Sequence, residues 1–171
     1  MELDEYKKLV EGRLERDFEF LTAYEGTDYD LVAVKNIEEQ KILGDNSISK
    51  TVIAVSGLDE KCNEVFVRNE IECIPAVLLS GFRDIKRSKT TEFIRVFVMG
   101  NIPFDLIQKV RGYSFSKTER RSFDYVVHGG IIIVDSDNGM LYSNQAALQY
   151  CSLFRYIRPV ETKEESYKIE S

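Results

Sequence analysis

Leu3, Tyr6, Val10, Leu14, Phe18, Leu21 and Tyr24 recur at three- and four-residue steps with Glu, Lys and Arg between them. That period predicts an amphipathic helix over 2–24, ended by Gly26. Asp28–Lys35 then reads as a strand, residues 36–43 fit either period, and Gly44–Lys50 is a polar loop. Further strands are predicted at Thr51–Ser56, Glu64–Arg68, Ile71–Leu79 and Glu92–Met99. Pro75 should make the third of these an edge or a bulge. Residues 81–91, basic and rich in Ser and Thr, read as a loop.

Asn101, Pro103 and Gly112 stand where a short helix starts and stops. Tyr113 and Phe115 alternate with serines, which predicts a strand entering a basic turn. Phe123–Asp135 and Met140–Ser143 flank Ser-Asp-Asn-Gly, a hairpin signal. Asn144 should cap a helix to about Phe154, with a last strand at Arg155–Val160. No repeat or linker divides the pattern. It predicts one α+β domain over 1–160 and a mobile acidic tail over 161–171. Its sheet is mostly antiparallel, with the N-terminal amphipathic helix and one or two further helices packed on it. A ferredoxin-like or profilin-like C-terminal part is compatible with the order of elements.

Composition narrows the class. The 171 residues are 43% hydrophobic, with ten Phe, nine Tyr and no Trp, enough to fill a core and to exclude whole-chain disorder. No apolar run nears the roughly 20 residues of a membrane span. Three cysteines without C-x-x-C spacing fit neither a disulfide framework nor a zinc ribbon. The acidic N-terminus is unlike a signal peptide. The expectation is a reduced, soluble, cytoplasmic protein with no metal and no membrane partner.

Charge changes the picture more. The net −6 divides into −9 over residues 1–82, +6 over 83–121 and −3 over 122–171. Arg83, Lys86, Arg87 and Lys89 form one basic cluster. Lys109, Arg111, Lys117, Arg120 and Arg121 form another, interleaved with Tyr113, Phe115 and Phe123. Cations beside aromatic rings suit a polyanion, by phosphate contact and base stacking. The leading expectation is therefore a non-catalytic binding or regulatory module. Arg83, Lys86, Arg87, Lys89, Arg111, Lys117, Arg120 and Arg121 would contact nucleic acid or an acidic protein surface, and Tyr113 and Phe115 would stack.

Two other classes stay open. Asp30 opens an apolar strand and Glu39-Gln40-Lys41 follows, a pattern that resembles the core of the restriction-endonuclease-like nucleases. That resemblance implies Mg²⁺ bound by Asp30 and Glu39, with Lys41 positioning a water for attack on phosphate; no other cofactor is implied. The third class is a structural subunit whose Phe- and Tyr-rich surface makes it a homo-oligomer.

Shorter resemblances add little. Gly130–Leu148 is similar to the opening strand–turn–helix of a PAS sensory domain, and Val96–Pro103 to the first signature strand of an RNA-recognition motif. In the latter, Ile131 and Ile133 stand where aromatics would stack. Asp135-Ser136-Asp137 reads as a turn, and His128, the lone histidine, as a structural strand residue.

Overall fold

The computed structural model describes residues 2–21, 29–39, 47–80, 88–120 and 124–156. Helix α1 (Leu3–Leu14) leads through β1 (Glu19–Phe20) to a hairpin of β2 (Leu31–Glu39) and β3 (Ser47–Ser56). Helix α2 (Glu64–Ser80) carries the chain to β4 (Ser88–Met99), and α3 (Phe104–Arg111) to β5 (Phe115–Arg120) and β6 (Asp124–Asp135). A short β7 (Leu141–Ser143), a 3-10 helix (Gln145–Tyr150) and α4 (Cys151–Phe154) follow.

One sheet in the order β1-β2-β3-β4-β6-β5 runs through the molecule, with β7 also paired to β6. Its pairs are antiparallel except β3–β4 and β4–β6, which are parallel. This is the α+β class expected. Both faces are covered, giving three layers. On one face Val67, Ile71, Ile74 and Leu78 of α2 and Leu106 and Val110 of α3 meet Val52, Phe93, Phe97 and Ile131. On the other, Tyr6, Val10 and Leu14 of α1 and Ala147 and Phe154 meet Ile53, Ile94, Val96 and Ile132. A central strand buried on both faces loses its alternation, which is why Ile131–Val134 is a continuous apolar run.

The strands expected at Glu64–Arg68 and Ile71–Leu79 are corrected to a single helix. Val67, Ile71, Ile74 and Leu78 are its buried positions, at steps of four, three and four. The β-branched content masked that period, and Pro75 argued against it. Yet Asn63 starts the helix by accepting the Phe66 N–H at 2.9 Å, and Pro75 lies inside it. The N-terminal helix is also shorter than expected. It stops at Leu14, and Phe18 joins the same core from the turn beyond, which continues the apolar spacing without the helix. Residues 36–39, polar except for Ile37, extend β2, and 36–38 are exposed there. Residues 157–160 and the tail 161–171 lie outside the described residues.

β6 lies between β4 and β5, parallel to β4 and antiparallel to β5, so β4 and β5 run antiparallel and the ferredoxin-like expectation, whose split β-α-β needs them parallel, is corrected. The other flank of β4 is taken by β3, a strand from earlier in the chain. At the hairpin, Gly139 turns the chain with φ +75 and its N–H reaches the Asp135 carbonyl at 2.7 Å. Asp135 itself accepts from the Asp137 N–H and the Asn138 amide, so it holds the turn, as the sequence reading had it.

Two side chains tie distant segments. Tyr6 donates its hydroxyl to the Phe154 carbonyl at 2.6 Å, and Arg13 donates to the carbonyls of Leu153 and Arg155 at 3.2 and 2.7 Å. Asn144 is 2% exposed and fully bonded. Its Oδ1 accepts the Ile131 and Ala147 N–H groups, and its Nδ2 donates to the Tyr113 and Gly129 carbonyls. Asn144→Ala should lower the unfolding free energy by about 2 kcal/mol, because buried backbone groups lose their partner. Urea unfolding followed by circular dichroism measures this, and a loss below about 0.5 kcal/mol would mean that water replaces the amide.

Candidate functional site

The basic region is placed in part. Arg83, Lys86, Arg87 and Arg121 lie outside the described residues. Lys89 is the second residue of β4 and Arg120 the last of β5. Thr90 is in register with Val126, and Val126 with Thr118. Two inter-strand steps of roughly 4.8 Å thus separate the start of β4 from the end of β5. The two clusters, 31 residues apart between Lys89 and Arg120, meet at one end of the sheet.

They do not line one face. Phe115 packs on the α2–α3 core, so Lys117, two residues on, shares that side, while position 120 belongs to the opposite side. Lys117 and Arg111 are exposed, and the Arg111 guanidinium stands 5.8 Å from the Tyr142 ring. Lys109 is bonded to Glu72 at 2.9 Å and holds that carboxyl below the usual range. The expectation that Tyr113 and Phe115 stand open for stacking is corrected. Both are partly buried against the α2–α3 core, and the Tyr113 hydroxyl is wholly buried.

The nuclease constellation is not brought together. Asp30 precedes β2 and Glu39 ends it, so about nine strand steps, roughly 30 Å, separate them. Lys41 lies outside the described residues. Asp30 instead accepts the Gly57 and Leu58 N–H groups, each at 2.7 Å, and fixes the loop after β3. Among the described residues no group of three or more His, Cys, Asp or Glu is arranged to hold a metal.

Sequence reasoning missed two polar groups. The first centres on Arg95 in mid-β4, whose side chain is 1% exposed. Its Nε and Nη2 donate to Glu70 at 3.1 and 2.8 Å, Nη1 to the Ala54 carbonyl at 3.1 Å, and Nη2 to Ser56 Oγ at 2.9 Å. The Tyr29 and Phe97 rings lie 4.3 and 4.5 Å from the guanidinium carbon. Cys62 is close enough to feel Arg95, Asp30 and Glu70, but burial dominates and pushes its thiol up to about 11. A thiol held protonated is a poor nucleophile, so this group reads as a tie between α2 and the sheet. The signal was present: one charge inside Phe93–Met99 must have a partner. The partner sits on α2, which the strand reading of 64–80 hid.

The second group lies on the α1 side. Tyr150 donates its hydroxyl to Glu92, Thr51 Oγ1 donates to the same carboxylate at 3.3 Å, and Gln149 at 3.4 Å. Burial, then the Glu92 carboxylate, pushes the Tyr150 hydroxyl up to about 12. Glu92 is in register with His128, and His128 with Ser116, so a serine, a histidine and a carboxylate cross three neighbouring strands. A nucleophilic relay needs the serine–histidine and histidine–acid hydrogen bonds. Neither is made, and Glu92 is held by Tyr150 and Thr51.

No described helix is long and apolar enough to cross a membrane. The chain matches no protein-family model, no curated protein and no solved structure.

Proposed function

We propose that the chain is a binding module for a polyanion, nucleic acid first, and that it grips its partner with the end of the sheet where β4 begins and β5 ends. One observation carries this reading: the strand register draws Lys89 and Arg120, one from each basic cluster, to within two strand spacings of each other. Arg111 and Lys117 extend the same β5 side of the molecule. Cations on either side of a sheet end suit a partner that wraps the rim. The rings of Tyr113 and Phe115 are not part of this reading, so contact is through phosphates and carries little sequence preference.

The test is fluorescence anisotropy of labelled single- and double-stranded oligonucleotides at two salt concentrations, with Mg²⁺ present or absent, followed by a gel. Binding of intact strands should weaken steeply with salt. Lys89→Glu and Arg120→Glu should each weaken it several-fold and lower the salt slope by about 1. Absence of binding at low salt, or reversals that leave the slope unchanged, would overturn the proposal. Strand cutting that requires Mg²⁺ would also overturn it and favour a nuclease.

A further inference from the structure

At the opposite edge of the sheet, β1 covers only the first half of β2. Glu19 pairs with Val34, Phe20 with Ala33, and the Leu21 N–H reaches the Val32 carbonyl. From Lys35, whose ammonium reaches Asp17 at 3.6 Å and lies 5.7 Å from the Phe18 ring centre in its own chain, to Glu39, β2 is bonded to β3 on one side, and on the other no described strand adjoins it. Alternate N–H and C=O groups of this stretch therefore face outward, a template for another strand. Ile37 at its centre is 46% exposed and Phe20 beside it 38%. Both lie on the α1 side of the sheet, since Phe20 is opposite Ala33 and Ile37 is two strand repeats further on.

We infer that this edge pairs with the same edge of a second copy of the chain, the two β2 strands running antiparallel about a two-fold axis at Ile37. The argument for a second copy is the charge order. A two-fold axis normal to the sheet keeps each side chain on its own face, so opposed residues must differ by an even number. The free stretch then allows three centres. Centred on Asn36, Glu38 would oppose Val34, whose edge β1 already occupies. Centred on Glu38, that carboxylate would oppose its own copy and Ile37 would oppose a glutamate. Centred on Ile37, the two isoleucines meet and each Lys35 opposes position 39 of the other copy, a glutamate. Opposite charges and apolar pairs across antiparallel strands are favourable, and like charges are not. The charges that guard this edge against an arbitrary strand thus complement the chain itself in one register.

Five paired residues make a small interface, so association should have a Kd on the order of 10–100 μM. Sedimentation equilibrium of the full chain should show the mass rising from 19.7 kDa toward twice that value as concentration passes through this range. Lys35→Glu alone should abolish the rise, and Lys35→Glu combined with Glu39→Lys should restore it. In a Cys73→Ser background, Ile37→Cys should oxidise to a covalent dimer. Asn36→Cys should not, because two copies of position 36 lie about 7 Å apart along the strands, beyond disulfide reach. A chain that stays monomeric at roughly ten times that Kd range would overturn the inference. So would a dimer indifferent to the charge swap. The swap needs no new cysteine, so it decides the matter even if Ile37→Cys fails to fold. Lys89 lies two strands from Glu38 at the same end of the sheet, so the two readings are told apart by their variants: the charge swap at 35 and 39 is read as mass, the Lys89 and Arg120 reversals as oligonucleotide affinity.

Discussion

Arg95→Ala is expected to destabilise the fold by about 3–5 kcal/mol, the largest effect of any single side-chain truncation proposed for this protein. Two losses combine. Arg95 is the largest fully buried side chain among the described residues, so its removal leaves a cavity between α2 and the sheet. Its removal also takes a donor from the Ala54 carbonyl, Ser56 Oγ and Glu70 Oε2. Glu70 is 27% exposed and can recover water, so Glu70→Gln should cost less, about 1–2 kcal/mol. Arg95→Met, which fills most of the volume, should fall between the two. Urea unfolding of the three variants gives the order directly. If Arg95→Ala lay within about 1 kcal/mol of the parent, the guanidinium would be no tie between the layers.

Gly57→Ala is expected to cost about 3 kcal/mol, for a different reason. Gly57 follows β3 directly with φ +98, a region that side chains rarely enter. A Cβ there would sit 2.2 Å from the Val98 carbonyl oxygen, which is backbone of the neighbouring strand and cannot swing away. Relaxing that clash would pull the loop from Asp30, which holds the Gly57 and Leu58 N–H groups. Gly12 is the internal control. It lies inside α1 with nothing within 4 Å of a built Cβ, so Gly12→Ala should stabilise by about 0.5–1 kcal/mol. Opposite signs from one chemical change separate backbone strain from packing. Equal signs would show that the Gly57 conformation is not required.

These two sites also show what was legible in the sequence. The mixed class, the hairpin before β7 and the Asn144 cap were readable, because each depends on a local period or on turn residues within a few positions. Gly57 and Arg95 were not, because their reasons lie across the sheet. The carbonyl that excludes a side chain at 57 belongs to Val98, and the carboxylate that holds Arg95 belongs to a helix 25 residues away in sequence. Misreading 64–80 as strands had the same origin. Val65, Val67 and Ile71 favour strands by propensity, and the period that decides otherwise is set by what α2 must cover. The basic clusters were legible as charge, but their meeting at one end of the sheet depends on the parallel register of β4 and β6. Arg95 contributes to the +6 of residues 83–121 but belongs to neither cluster, and it lies inside the core.

The bond from Tyr6 to the Phe154 carbonyl has a consequence for synthesis on the ribosome. Helix α1 is the first element made, and the α4 backbone that receives Tyr6 and Arg13 is the last of the described elements. At about 5–20 residues per second, the Tyr6 hydroxyl waits roughly seven to thirty seconds for its acceptor to be polymerised. Through that interval the stripe of Tyr6, Val10 and Leu14 lacks part of its cover, so the nascent chain exposes apolar surface until Phe154 has been made. Chains stalled before Phe154 should therefore be captured by chaperones far more than chains released beyond it.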